Sequence, residues 1–200
     1  MDQLVIGVLA LQGAFAKHAE VLIALGAEVI EVRKPADLQF CDGLVIPGGE
    51  STTMMKQIKF VEFSDSLHEF SKTNPVFGTC AGLILMSRYI INDQILPLQL
   101  LDIDVQRNAF GRQADSFQAN LEVHFLADCP QMAPAFFIRA PKIAHYGPEV
   151  QVLSSFEGDP VLVQQGFHLG ATFHPELTSD HSIHSYFLSL VSANKKKVEY

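Results

Sequence analysis

The sequence has no tryptophan, only three cysteines and no long apolar run. Each shortage excludes something. Cys41, Cys80 and Cys129 are too few and too scattered for a disulfide framework or a zinc site. No stretch approaches the roughly 18 consecutive apolar residues of a membrane-spanning helix. Basic residues are scarce too: 14 Lys and Arg against 22 Asp and Glu give a formal net charge of −8, which argues against a nucleic-acid partner. The one basic cluster, Lys195-Lys196-Lys197, is expected to be a frayed, solvated tail. No basic region precedes Leu4, so a secretory signal is not expected. What remains is a chain of 200 residues, 48% hydrophobic, enough for the core of one domain over residues 1–200. The expectation is a soluble cytoplasmic protein with reduced thiols and neither nucleic acid nor membrane as a partner.

Hydrophobic patterning supplies the fold class. Leu4 to Leu11 is near-continuously apolar, as a parallel strand covered on both faces should be. Phe15, His18, Ala19, Leu22 and Leu25 then recur at helical spacing, with Gly26 as the stop. Glu28 to Val32 and Leu44 to Ile46 read as further strands. Residues from Thr53 to about Ser71 read as one or two helices. Val76-Phe77 is a short strand, and Leu83 to Met86 is apolar at helical length. The first ninety or so residues therefore spell an alternating, doubly wound α/β pattern, in which ligands gather at the carboxyl ends of the strands. The second half is richer in strands, with candidates at Leu101 to Val105, Ser116 to His124, Ala135 to Ile138, Val150 to Leu153, Val161 to Gln165 and His168 to Phe173. A helix from about Ser179 to Val191 closes the chain. The fold class is α/β: a doubly wound, mixed or parallel sheet with a strand-rich extension.

Chemistry enters at Gly78-Thr79-Cys80-Ala81-Gly82. Gly-Xaa-Cys-Xaa-Gly between a strand and a helix is the cysteine counterpart of the serine nucleophile elbow, whose strained turn closes only between small neighbours. The plain alternative is a buried structural cysteine in a tight turn. A nucleophilic thiol needs a base, and the base an orienting acceptor. His174-Pro175-Glu176 follows a hairpin-like pair of strands around Gly166. Residues two apart on an extended segment point the same way, so Glu176 can flank the imidazole of His174. His181 and His184 are three apart on a helix, but no third metal ligand is evident. His18 and His68 read as helix-surface residues, and His124, His145 and His168 have no evident partner.

Gly-Xaa-Cys-Xaa-Gly followed far downstream by His-Pro-Glu resembles the class I, triad-type glutamine amidotransferases. More specific blocks appear in order: Leu9-Ala10-Leu11-Gln12-Gly13-Ala14, Pro47-Gly48-Gly49-Glu50-Ser51-Thr52-Thr53, Arg107-Asn108-Ala109-Phe110-Gly111-Arg112-Gln113, Phe137-Ile138-Arg139-Ala140-Pro141 and Phe173-His174-Pro175-Glu176-Leu177. Together they resemble the glutaminase subunits of pyridoxal 5′-phosphate synthase, from the first strand to the last helix. The resemblance implies a flavodoxin-like sheet and hydrolysis of L-glutamine to glutamate and ammonia through a Cys80 thioester, with His174 as base and Glu176 as its orienter. It also implies substrate contacts at Gly49, Glu50, Ser51, Arg107, Ile138 and Arg139, and an oxyanion hole from the backbone N–H groups of Gly49 and Ala81. The implied partner is a (βα)₈-barrel synthase subunit that consumes the ammonia. Low activity without that partner, and reorientation of the Gln12-Gly13 peptide on docking, are implied as well. No metal and no cofactor are expected on this chain, since pyridoxal 5′-phosphate would be the partner's product. Other readings of the same residues are a glutaminase serving a histidine- or anthranilate-type synthase, a γ-glutamyl hydrolase, and a binding subunit that keeps the fold without the chemistry. Glu50 to Thr53 also suits a helix N-cap, and Arg107, Arg112 and Arg139 suit surface ion pairs.

Overall fold

The apolar runs are strands, and both of their faces are covered. The computed structural model describes residues 3–107, 116–125 and 129–198. Its first half runs β1 (Val5–Leu9), α1 (Phe15–Ala24), β2 (Glu28–Val32), a 3₁₀ turn at Pro35–Phe40, β3 (Gly43–Ile46), α2 (Ser51–Phe60), α3 (Phe63–Thr73), β4 (Val76–Thr79) and α4 (Ala81–Met86). Then follow β5 (Tyr89–Ile90), β6 (Ile103–Gln106), β7 (Ser116–Val123), β8 (Gln131–Ile138), β9 (Lys142–Tyr146), β10 (Gln151–Phe156), β11 (Asp159–Gln165), β12 (His168–Ala171), a 3₁₀ turn at Pro175–Leu177 and α5 (Ser182–Val198).

The main sheet has the order β10-β11-β12-β4-β3-β1-β2. The stretch from β12 to β2 is parallel, and β11 and β10 extend it antiparallel. The parallel part has the flavodoxin-like order, with the carboxyl ends of β3, β4 and β12 at one edge. Side chains alternate between the faces. Leu44, Ile46 and Val76 join α2, α3, α4 and the small β5-β6-β9 sheet in one core. Val45 and Phe77 join α1, α5 and the β7–β8 hairpin in the other. The two-sided apolar strands thus have a physical cause: each strand separates two cores.

Several expectations need correction. Strand β9 was not anticipated, because Lys142-Ile143-Ala144-His145-Tyr146 buries little beyond Ile143. The strand expected from Ala135 starts at Gln131, since β7 pairs with it over its whole length. The closing helix starts at Ser182 and reaches Val198, so Lys195 to Lys197 form its last turn and not a frayed tail. Cations suit a helix C-terminus. Lys195 Nζ also pairs with Asp42 Oδ2 at 3.0 Å, and the Asn194 amide donates to the Thr73 carbonyl at 2.7 Å.

Candidate active site

Strand β4 ends at Thr79 and α4 begins at Ala81, so Cys80 alone makes the turn. Its φ of 48° and ψ of −104° are strained for a residue with a side chain. The surroundings hold it there. The Cys80 N–H donates to the Ala171 carbonyl at 2.8 Å, tying the elbow to the end of β12. On the other side, a Cβ at Gly82 would overlap the Ile46 carbonyl oxygen, so only glycine lets α4 lie against the end of β3. The small residues flanking Cys80 are a steric requirement of this turn.

Parallel pairing of β12 with β4 places Ala171 opposite Thr79, so the chain leaving β12 reaches the edge where Cys80 stands. Two contacts fix His174 there. Its N–H donates to the Phe136 carbonyl at 2.8 Å, and Gly48 packs so close that a Cβ would overlap the imidazole ring. The segment after it is not extended as expected. Pro175 opens a 3₁₀ turn, and that turn swings Glu176 back under the ring. His174 Nδ1 meets Glu176 Oε1 at 2.7 Å, with both side chains buried.

The protonation states follow from these contacts. Burial pulls His174 down, but hydrogen bonds to Cys80 and Glu176 and the charges of both outweigh it, pushing the imidazole up to about 10. Burial also opposes ionisation of Glu176, yet the facing His18 and the hydrogen bond from His174 hold it below the ordinary carboxylate range. At neutral pH an imidazolium therefore stands between sulfur and carboxylate. Such an imidazolium can pass its proton to a leaving group. Cys41 has no such neighbour: burial, aided by Asp37 and Asp42, pushes that thiol up to about 12.

A cavity of about 430 Å³ opens onto Cys80 and His174. Gly49, Glu50, Ser51, Ala81, Arg107, Ile138, Arg139 and Glu176, the other predicted site residues, all line it. Glu50 caps α2 with its carboxylate, accepting from the N–H groups of Thr52 and Thr53 and from the Thr53 hydroxyl. The cap is thus the Glu and not the neighbouring Ser or Thr. The Thr53 hydroxyl above all, with the N–H groups of Thr52 and Thr53, outweighs desolvation and holds Glu50 at about 2. Arg107 donates to Asp93 Oδ2 at 2.6 Å and to the Thr52 hydroxyl at 3.2 Å, and lies 3.5 Å from Glu50. Ile138 ends β8, and its carbonyl receives the Cys80 thiol at 3.8 Å. Arg139 turns left-handed with φ of 44° and is exposed at the rim. Arg112 and the block from Asn108 to Gln113 lie outside the described residues.

Several contributors escaped the sequence reading. Asp93 anchors Arg107, and Ile84 and Leu177 supply apolar wall. Gln12 does more than offer a peptide bond: its Oε1 accepts the Glu50 N–H at 3.0 Å. Behind Glu176 stand His18, His184 and Thr79, all fully buried. His18 was expected on the helix surface, and the structure corrects that. It shares the α1 face of Leu22, four residues on, and that spacing was a signal of burial. His181 and His184 form no metal site, because His184 points into the core against His18. No group of three or more potential metal ligands occurs among the described residues. Nor is any helix among them long and apolar enough to cross a membrane.

A flavodoxin-like sheet with a cysteine elbow after β4 and a histidine–carboxylate pair after β12 defines a class I glutamine amidotransferase fold. A solved structure described as a glutamine amidotransferase shares it with a TM-score of 0.88 at 43% identity, covering 94% of this chain and 98% of that one. A putative GMP synthase protein from Thermoplasma acidophilum, 15% identical with a TM-score of 0.75 and full coverage of both chains, shares the fold alone. The model of the SNO glutamine amidotransferase family matches residues 8–193, and the chain belongs to that family. Curated relatives include the pyridoxal 5′-phosphate synthase subunits PdxT of Thermosipho africanus and Solibacter usitatus. They are 49% and 48% identical, covering 93% and 92% of this chain and 98% and 97% of theirs.

Proposed function

We propose that this chain is the glutaminase subunit of a pyridoxal 5′-phosphate synthase, hydrolysing L-glutamine to glutamate and ammonia with Cys80, His174 and Glu176. The observation that carries the reading is the buried row of these three side chains at the mouth of one cavity, with His174 Nδ1 at 2.7 Å from Glu176.

Cys80 sulfur attacks the side-chain amide carbon of glutamine, and the carbonyl electron pair moves onto oxygen. The N–H groups of Gly49 and Ala81 receive that oxyanion. Losing one such donor typically costs about 10²–10³ in turnover. His174 gives its proton to the departing nitrogen, so ammonia leaves and a thioester remains. The neutral imidazole then takes a proton from water, whose oxygen attacks the thioester, and glutamate departs as sulfur is released. Glu176 keeps its charge throughout and holds the ring in the Nδ1–H tautomer. Arg107 and Arg139 suit the α-carboxylate of glutamine, and Glu50 adds negative charge near its ammonium.

Ammonia escapes readily, which favours coupling to a consumer. The consumer we propose is a (βα)₈-barrel synthase subunit. Docking would act on the Gln12-Gly13 peptide, beside which the Ala14 N–H bonds the Gly48 carbonyl at 3.1 Å and Gln12 Oε1 bonds Glu50. Reorienting it would reset Gly48-Gly49, one wall of the oxyanion site. Covalent trapping tests the chemistry. The glutamine analogue acivicin should label Cys80 in the wild type and much more slowly in His174→Ala. Labelling at Cys41 or Cys129 with Cys80 untouched would refute the nucleophile assignment. A panel of γ-glutamyl peptides should be cleaved far more slowly than glutamine, and the reverse order would favour the γ-glutamyl hydrolase reading.

A further inference from the structure

Resting on the glutaminase reading above, we infer that His18 is a positioning residue for the reaction. Its Nε2–H holds the outer oxygen of Glu176, and His184 holds His18 in the tautomer that makes this donation possible.

The carboxylate of Glu176 has two oxygens in a fully buried place. Oε1 accepts a hydrogen bond from His174 Nδ1–H. Oε2 makes no hydrogen bond among the described residues, yet it faces His18 Nε2 at 3.4 Å. A buried carboxylate oxygen left without a donor is costly, so this nitrogen is expected to carry a hydrogen. The same nitrogen lies 3.1 Å from the hydroxyl oxygen of Thr79, the residue before the nucleophile. One N–H placed between two acceptors accounts for the long contact to Oε2.

The rest of the cluster agrees. His18 Nδ1 lies 2.9 Å from His184 Nε2, and one of the two must donate. If His18 donates from Nε2 and is neutral, Nδ1 is an acceptor and His184 donates from Nε2. His184 Nδ1, buried without a partner among the described residues, is then only an acceptor left idle. The opposite arrangement would bury an orphan N–H there and aim a lone pair at a carboxylate. Burial lowers both imidazoles, which keeps them neutral with one hydrogen each, although the charge of Glu176 works the other way on His18. Phe77 meets both rings edge-on and seals the cluster on that side. The donors therefore point in one direction: His184 Nε2–H bonds His18 Nδ1, and His18 Nε2–H faces Thr79 at 3.1 Å and Glu176 Oε2 at 3.4 Å. Glu176, so held from behind, keeps the ring of His174 aligned with Cys80.

The test uses the full chain with its barrel partner. His18→Leu should lower kcat about tenfold or more, with KM for glutamine within about twofold. His18→Gln should recover most of kcat, because its amide nitrogen can stand where Nε2 stood. Equal losses in the two variants would mean a packing role, and wild-type turnover in His18→Leu would mean none; either overturns the inference. Independently of turnover, two-bond ¹H–¹⁵N correlations on ¹⁵N-histidine protein should show His18 and His184 as Nε2–H tautomers. Resonances are assigned by their loss in His18→Gln and His184→Gln. A His18 found as Nδ1–H, or charged at neutral pH, sinks the inference even if His18→Leu fails to fold. If the glutaminase reading itself is wrong, the wild type shows no glutamine turnover, while the tautomer result still stands or falls on its own.

Discussion

His174 lies between a sulfur and a carboxylate, out of water, and burial alone would leave it neutral. The partners win: its imidazole is raised from 6.5 to about 10. Because the folded value lies above the unfolded one, the stability it contributes is whole below pH 6.5 and is lost as pH climbs from there toward 10. Chemical denaturation across that window should show stability falling with pH, and less steeply in Cys80→Ala, which removes one of the partners. A slope unchanged by Cys80→Ala would contradict the coupling. Asp93 gives a second prediction at this scale. It fixes Arg107 at 2.6 Å without lining the cavity itself. Asp93→Ala should raise KM for glutamine by roughly three- to tenfold with a smaller change in kcat, the expected pattern for a lost binding interaction. Steady-state kinetics checks it. That Cys80, His174 and Glu176 come together at one cavity was legible in the sequence, because a strained turn and a flanked imidazole demand particular residue types. Their supports were not. Asp93 sits 14 positions from Arg107, and no local pattern links them.

At the scale of elements, the elbow and the β4–β12 pair decide where the chemistry stands. Gly82→Ala would drive a methyl group into the Ile46 carbonyl, a backbone atom that cannot step aside. The cost should reach about 3 kcal/mol or more, read as a lower denaturation midpoint together with loss of glutaminase activity. His168 opens β12, and its Nδ1 accepts the N–H of Val76, the first residue of β4, at 3.2 Å. Burial lowers it from 6.5 to about 4, with a small opposing contribution from the Ser71 backbone. Here the sign reverses. The contribution is whole above pH 6.5 and is lost as pH falls toward 4, worth about 2 kcal/mol after discounting for the ring's partial exposure. Acid unfolding should flatten in His168→Gln, and an unchanged acid limb would contradict this. Strands with two buried faces were readable from apolar runs, whereas β9 and the 3₁₀ turn at Glu176 were not. Strand β9 is held by pairing with β6, a non-local cause. The turn arises because Pro175 both ends the strand and preorganises the next residues.

For the whole molecule, the sheet order puts three strand ends at one edge, and the cavity lies there. The alternating pattern of the first ninety or so residues was enough to expect that edge. The hairpin of β7 and β8 was expected as separate strands, but its role was not: it carries Ile138 and Arg139 across to Cys80 and receives the N–H of His174 at Phe136. Those contacts join residues 38 positions apart at His174 and Phe136 and 58 apart at Cys80 and Ile138, beyond the reach of periodicity. Cys80, His174 and Glu176 lining one cavity, a Gln12 side chain bracing the Glu50 loop and relatives named as synthase subunits all point to a glutaminase that works in company.

The most direct measurement is glutamate release from L-glutamine by the purified chain, with and without a barrel synthase partner, for wild type and Cys80→Ala. The account predicts activity that rises strongly with the barrel and vanishes in Cys80→Ala under both conditions. Glutamate release that persists in Cys80→Ala, or no release by the wild type even with the barrel, would contradict it.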